Sequence, residues 1–321
     1  MRENQSPSAA LSAALSIVAA MLILGISDNF IAAVSERMSL WQYHAMRSAM
    51  VMPLIVGAMA LLGQARTLRP VAFGPVLLRS AFTVAAMILY FAAIPSVSVS
   101  LAAAGLFTSP IWVTVFSVAL FGERVGPRRI AALALGFCGV CLVLKVGTEP
   151  LRPMLLAAVL GGAFYALSVI WTRRYCRAES VGALAFWNLA LFFAVGVAGM
   201  ALTPSLAAAV GHLEGAAFAT MAAQPLDAES ALVVLAMGGA GALGILLLAR
   251  GYRGADPTFA ALFDFSFLFW VPLFAWLLWG ERLAPTVALG MALIVAAGLL
   301  AVSGMERRAT PAAPAGTRSR P

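Results

Sequence analysis

The chain has 321 residues, 62% of them hydrophobic and 11% charged, and its mean hydropathy is +0.96. A soluble domain carries about 45–50% apolar and about 25% charged residues, so this composition excludes a soluble globular protein and predicts a polytopic membrane protein. The formal net charge is +8, but the basic residues stand in short loops between apolar runs, which assigns them to membrane orientation rather than to nucleic acid.

Residues 1–10 read as a short cytoplasmic segment. The first apolar run continues to Val34, too long for the core of a signal peptide, and it reads as a first transmembrane helix. Ten apolar runs stand in order, at about 11–34, 42–62, 73–94, 97–121, 127–146, 153–172, 182–202, 230–250, 257–279 and 285–303. About 20 apolar residues cross a hydrocarbon core of about 30 Å. The predicted fold class is therefore an all-α integral membrane protein with ten transmembrane helices. Ile94-Pro95-Ser96 reads as a tight turn, and the long connection Thr203–Glu229 is expected to hold a short amphipathic piece within Pro204–Ala223. Residues 304–321, rich in Ala, Pro and Arg, are expected to form a disordered cytoplasmic tail. Cys138 and Cys141 form a C-x-x-C inside an apolar run, without a second Cys or His pair to complete a zinc site. They read as packing residues, and no metal or cofactor is expected.

With the N-terminus in the cytoplasm, fifteen of the 21 basic residues fall in cytoplasmic loops and tails. Four (Arg37, Lys145, Arg152 and Arg282) fall in outer loops, and Arg47 and Arg79 lie inside spans. Basic residues concentrate on the cytoplasmic side, so both termini are placed inside, and a bacterial inner membrane is the simplest location.

Shifting the chain by 158 residues lays Trp112 on Trp270, Phe116 on Phe274, Gly122-Glu123-Arg124 on Gly280-Glu281-Arg282, and Pro127 on Pro285. The two stretches close the fourth and ninth helices. Five helices separate them, an odd number, so the copies face opposite sides of the membrane. The expected architecture is a pair of five-helix inverted-topology repeats, residues 11–146 and 147–303, with a solute site near the midplane between them.

These stretches, with Arg47–Pro53, Leu89–Pro95 and Leu262–Ser266, give the chain a resemblance to the EamA family of the drug/metabolite transporter superfamily over about residues 11–303. The resemblance implies a secondary carrier of a small organic solute working by alternating access, and the intramembrane carboxylates Asp28 and Asp264 leave proton coupling open beside exchange. It names neither the solute nor the direction of transport, and it leaves monomer and homodimer open. An intramembrane enzyme would need a catalytic set at one depth. A channel or receptor-like scaffold would show a polar helix stripe or a sensing domain. Neither pattern stands out, and no Walker A sequence is present.

Charges inside a span are costly, about 3 kcal/mol on insertion scales, and mark candidate sites. Asp28 and Arg47 share the outer third of the membrane, Arg79 and Asp264 the inner third, so depth alone suggests the pairs Asp28–Arg47 and Arg79–Asp264. Tyr90 and Asn188 add polar groups at membrane depth. Trp112 and Trp270 are candidates for lining a midplane pocket, and Phe259, Phe263, Ser266 and Trp270 fall at the spacing of one helical face. Asp28, Arg47, Tyr90, Trp112, Asn188, Asp264 and Trp270 form the candidate solute-binding or coupling set. Arg79, Pro110, Glu123, Arg124, Pro272, Glu281 and Arg282 are expected to be structural or gating residues, the two prolines by interrupting the equivalent helices. The small-residue face Gly238, Gly239, Gly241 and Gly244 is expected to serve close packing.

Overall fold

The computed structural model describes residues 7–122, 126–143, 152–254 and 263–306. Among these residues the regular structure is helical. The helices are α1 (Pro7–Asn29), α2 (Ile31–Ser35), α3 (Leu40–Leu61), α4 (Phe73–Val97), α5 (Val99–Leu106), α6 (Ser109–Phe121) and α7 (Pro127–Val143). They continue with α8 (Pro153–Tyr175), α9 (Val181–Val210), α10 (Ala217–Thr220), α11 (Ala228–Gly254), α12 (Phe267–Trp279) and α13 (Pro285–Glu306). Seven helical segments among the described residues are long and apolar enough to cross a membrane, and Ile130–Val143, Phe267–Trp279 and Pro285–Leu300 are shorter apolar helices.

The most extensive packing joins α7 to α13, α4 to α8, α1 to α11 and α3 to α9. Helices α5 and α6 both lie on α8, and α12 lies on α1. Apolar burial does little to drive helices together when lipid is equally apolar, so close backbone approach at small residues matters more. The α7–α13 contact illustrates this: a Cβ on Gly139 would meet the Gly290 carbonyl oxygen at 2.8 Å, and a Cβ on Gly290 would meet that of Gly139 at 2.8 Å. Of the expected glycine face on α11, Gly238 packs on Val51 and Arg47 and Gly244 on Leu24, whereas Gly239 and Gly241 have open space around them.

Two apolar runs that look continuous are broken. Helices α5 and α6 are separated at Phe107–Thr108, and the Phe-rich run is broken at Phe265–Ser266, with Phe263 and Asp264 still helical. The breaks lie 158 residues apart, and α6 and α12 then have the same length of 13 residues. Each ends on a left-handed glycine, Gly122 at φ 62° and Gly280 at φ 68°, where the missing side chain removes the steric cost.

The prolines act differently from the expectation. Pro110 lies in the first turn of α6, where its missing amide hydrogen would have no partner within the helix. It starts a helix rather than interrupting one. Pro272 does lie inside α12, and it withholds an amide donor from the Leu268 carbonyl. The tight turn expected at residues 94–96 is not there: α4 runs through Pro95 to Val97, and the chain turns at Ser98, whose φ is 90°. The Ser98 Oγ accepts from the Leu101 amide at 3.4 Å, which caps α5. Helix α9 likewise runs through Pro204 to Val210, so the expected amphipathic piece is divided between the end of α9 and the short α10. Glu123, Arg124, Lys145 and Phe259 lie outside the described residues, as do residues 1–6 and 307–321 of the expected terminal segments.

Candidate functional site

One turn of α3 carries Tyr43, His44, Arg47 and Ser48, spaced so that they share a face. The Arg47 guanidinium carbon lies 5.6 Å from the Tyr43 ring centre, 5.9 Å from that of Phe91 on α4, and 5.3 Å from that of Phe192 on α9. All three are within the roughly 6 Å reach of a cation–π contact. His44 stacks on Phe192 at 4.8 Å and 17°. Gly238 of α11 closes a further side, since a Cβ there would lie 3.2 Å from Arg47 Cγ. Buried polar atoms without a hydrogen-bond partner gather here: Arg47 Nε, both His44 ring nitrogens, Ser48 Oγ and Asn188 Oδ1. Asn188 stands one helical turn before Phe192 on α9 and so faces the same way.

Asp28 on α1 lies beside this cage. The Tyr90 hydroxyl, on a residue only 1% exposed, donates to Asp28 Oδ2 at 2.8 Å. Tyr90 in turn touches Phe91, ring centres 5.1 Å apart. Asp28 and Arg47 thus flank the Tyr90–Phe91 corner of α4. They interact through space but are not an ion pair within 4.0 Å. The first pair suggested by depth is therefore mediated: Tyr90 engages the acid and aromatic rings enclose the cation.

In the second suggested pair, the cation has a different partner. Arg79 Nε donates to Thr172 Oγ1 of α8 at 3.2 Å, next to a Thr83–Ser168 hydroxyl contact of 2.6 Å. The close packing of α4 on α8 brings those hydroxyls to Arg79. Asp264 is helical and immediately precedes the second break. Tyr165 of α8 lies within electrostatic reach of both Asp264 and Arg79.

Trp112 stacks on Phe116 at 5.7 Å and 25°, and Trp270 on Phe274 at 6.2 Å and 26°. The two tryptophans make no ring contact with each other. Trp270 packs against Gly25 of α1, and Asn29 Nδ2 ties the two helices by donating to the carbonyls of Gly25 at 2.7 Å and Val271 at 3.2 Å. Ser266 falls in the break, which interrupts the single face expected for Phe263, Ser266 and Trp270. Glu281 and Arg282 edge a cleft of about 740 Å³ between α12 and α13 that is otherwise lined by apolar residues such as Phe265, Phe269 and Trp276. Neither forms an ion pair among the described residues.

Both ends of the bundle carry cross-links. At the end with Arg37, Trp41 Nε1 donates to the Ala219 carbonyl at 2.7 Å, Gln42 Nε2 to that of Gln224 at 2.7 Å, and Ser96 Oγ to that of Gly215 at 3.0 Å. Arg37 and Glu229 form an ion pair of 2.7 Å, and the hydrogen bond to Glu229 raises the Arg37 pKa above its ordinary range. Hydrogen bonds from Ser230 hold the Asp227 carboxyl below its ordinary range. At the other end the Glu179 carboxylate accepts from the amides of Val71 at 2.9 Å and Ala72 at 2.7 Å.

The Tyr43–Phe91–Phe192 cage was not anticipated from the sequence. One signal was present: Tyr43 and Arg47 are four apart on a helix.

Residues 11–145 match the EamA-like transporter family. The chain is 30% identical over 219 residues to a riboflavin transporter of Rhizobium johnstonii, covering 68% of this chain and 67% of that protein. It is 26% identical over 274 residues to a riboflavin transporter of Brucella anthropi, covering 84% and 89% respectively. A crystal structure shares the fold with a TM-score of 0.60 at 18% identity, over 94% of this chain and 99% of the other.

Proposed function

The chain belongs to the EamA-like transporter family and is a multi-pass membrane transporter, not an enzyme; on that premise we propose that it is a secondary carrier of a flat heterocyclic metabolite of the riboflavin kind. The observation that carries the choice of solute is the similarity to two riboflavin transporters. The polar, aromatic-walled cluster of Asp28, Tyr90, Arg47 and Asn188 supports it, because stacking faces and a few placed polar groups suit such a ring.

We further propose ten transmembrane helices in two inverted repeats, residues 11–146 and 147–303, which exchange access to the cluster. The packing supports this reading. Numbering spans from one to ten, the third packs on the sixth and the eighth on the first; the third also packs on the seventh and the eighth on the second. Each contact returns when five is added to both partners, counting cyclically. Breaks in the fourth and ninth spans suit a carrier, since discontinuous helices commonly form transporter sites. In this scheme Trp112, Asp264 and Trp270 lie near the breaks and serve binding or coupling. Arg79, Pro110, Glu123, Arg124, Pro272, Glu281 and Arg282 serve structure or gating. The distribution of basic residues supports cytoplasmic termini and a bacterial inner membrane.

The test is counterflow in proteoliposomes. Vesicles preloaded with unlabelled riboflavin should accumulate labelled riboflavin saturably. A panel of amino acids, nucleosides and vitamins run in parallel identifies a different solute if riboflavin does not exchange, and absence of saturable exchange for every compound overturns the carrier reading.

A further inference from the structure

Charge chemistry at the cluster constrains the solute further, on the basis of the flavin-type reading above. An ionised carboxylate only accepts hydrogen bonds, and a guanidinium only donates them. Asp28 has one oxygen engaged by Tyr90. Its Oδ1 accepts no hydrogen bond from the described residues, and the residue is partly accessible. Arg47 is partly accessible too, and its contacts are with ring faces rather than with acceptors. The Tyr43 hydroxyl lies near the guanidinium without meeting hydrogen-bond geometry. No ion pair within 4.0 Å joins acid and base, so each keeps hydrogen-bonding capacity for a third group.

We propose that Asp28 and Arg47 together read an imide edge, a ring N–H flanked by carbonyl groups, with Asp28 Oδ1 accepting from the N–H and Arg47 donating to the neighbouring carbonyl oxygen. Opposite charges on the two protein groups balance, so the edge itself is neutral. With the carboxyl ionised, both hydrogen bonds are charge-assisted, which makes them stronger than neutral ones. Phe91 and Phe192 frame Arg47, so a flat ring entering edge-on finds aromatic walls beside its polar edge. Asn188 Oδ1, unpartnered on the same α9 face as Phe192, supplies a further acceptor one turn away. The isoalloxazine ring of riboflavin carries an edge of this kind. So do other flat solutes with a carbonyl–NH–carbonyl unit, and the class is defined by that unit.

The test compares riboflavin with its N3-methyl derivative, which lacks the imide donor, by quenching of ligand fluorescence on purified full-length protein in detergent. An analogue with the extra methyl on the opposite ring controls for bulk. Wild-type protein should bind the N3-methyl compound at least about tenfold more weakly than riboflavin and the control analogue nearly as well as riboflavin. In Asp28→Ala the preference for the N–H compound should fall to about twofold or less, with Arg47→Lys weakening both ligands. Equal affinities of wild-type protein for the two compounds overturn the imide assignment while leaving flavin exchange intact, and so does a preference that persists in Asp28→Ala. If Asp28→Ala does not purify as a monodisperse species, the ligand series on wild-type protein decides alone. If riboflavin neither binds nor exchanges, the flavin reading falls and this assignment with it.

Discussion

Phe107 and Phe265 stand 158 residues apart in the chain and touch, their ring centres 5.9 Å apart and the planes inclined by 56°. Each is the first residue of its break, two positions before the helix that follows, α6 or α12. Phe107 also stacks on Phe267, the first residue of α12, at 5.5 Å and 14°. The two breaks therefore meet through aromatic rings.

Gly298 of α13 holds the Phe265 ring in that position. A Cβ there would lie 1.9 Å from Phe265 Cζ, so Gly298→Ala must displace the ring. Overpacking of this kind costs about 1–3 kcal/mol, and the variant should unfold at a lower temperature in detergent by tryptophan fluorescence. A Cβ on Gly241 would have no neighbour within 4 Å, so Gly241→Ala should be neutral or gain up to about 1 kcal/mol of helix stability. Equal melting temperatures for the two variants would show that the Phe265 contact carries little.

Gly162 of α8 supports the first break from outside. An added Cβ would meet Thr108 Oγ1 at 2.6 Å and the carbonyl oxygens of Gly105 and Leu106 at 2.8 and 2.9 Å. Thr108 Oγ1 donates to the Gly105 carbonyl at 2.7 Å, which closes the turn. Gly162→Ala should therefore push α8 away from the break and slow counterflow by about tenfold or more, while the protein still purifies as a folded species. Unchanged exchange rates would argue that the break does not move during transport.

Much of the helical framework was legible in the apolar runs, and the ends of α6 and α12 were legible in the repeated Gly-Glu-Arg. Glycine at those ends takes the left-handed backbone that stops a helix, and the same residue stops both. The breaks were not legible. Phe107-Thr108 and Phe265-Ser266 contain no glycine or proline, and the few polar residues around them, Thr108 with Ser109 and Asp264 with Ser266, do not end the apolar runs. The prolines nearby misdirect: Pro110 begins a helix and Pro204 lies inside one. At the site, depth along the membrane grouped Asp28 with Arg47 and Arg79 with Asp264, but depth says nothing about direction around a helix axis. That direction gives Asp28 to Tyr90 and Arg79 to Thr172.

A pH effect is expected at the start of α11, outside the spans. Asp227 Oδ1 accepts from the Ser230 amide at 2.7 Å as an N-terminal cap. The Ser230 side chain and this amide bond both favour the ionised form, so the folded pKa lies below the ordinary value of 3.8. Its contribution is therefore fully present above the unfolded pKa and is lost as pH falls through the lower folded value. Hydrogen exchange at the Ser230 amide should stay slow through neutral pH and quicken, relative to uncapped amides, below about pH 4. Asp227→Asn should keep the cap and lose that acid dependence, and Asp227→Ala should give fast exchange at every pH. Acid-independent protection in the wild type would remove Asp227 from this role.

Asp264 marks where the two halves differ. Its counterpart 158 residues earlier is Leu106, which is 8% exposed and stands at the matching residue before the first break. A carboxylate inside a span costs about 3 kcal/mol on insertion scales, a cost that packing alone does not require, because leucine fills the equivalent place. Tyr165 of α8 lies within electrostatic reach of Asp264, so a change of charge at Asp264 is felt on α8, the helix that packs on the first break. If Asp264 carries the coupling proton, Asp264→Asn should retain counterflow, which needs no gradient, and lose the stimulation of uptake by an imposed pH difference. Leu106→Asp on that background, which moves the acid to the other half, should not restore it. A folded Asp264→Asn protein whose uptake still responds to the gradient as the wild type does would exclude Asp264 as the coupling group.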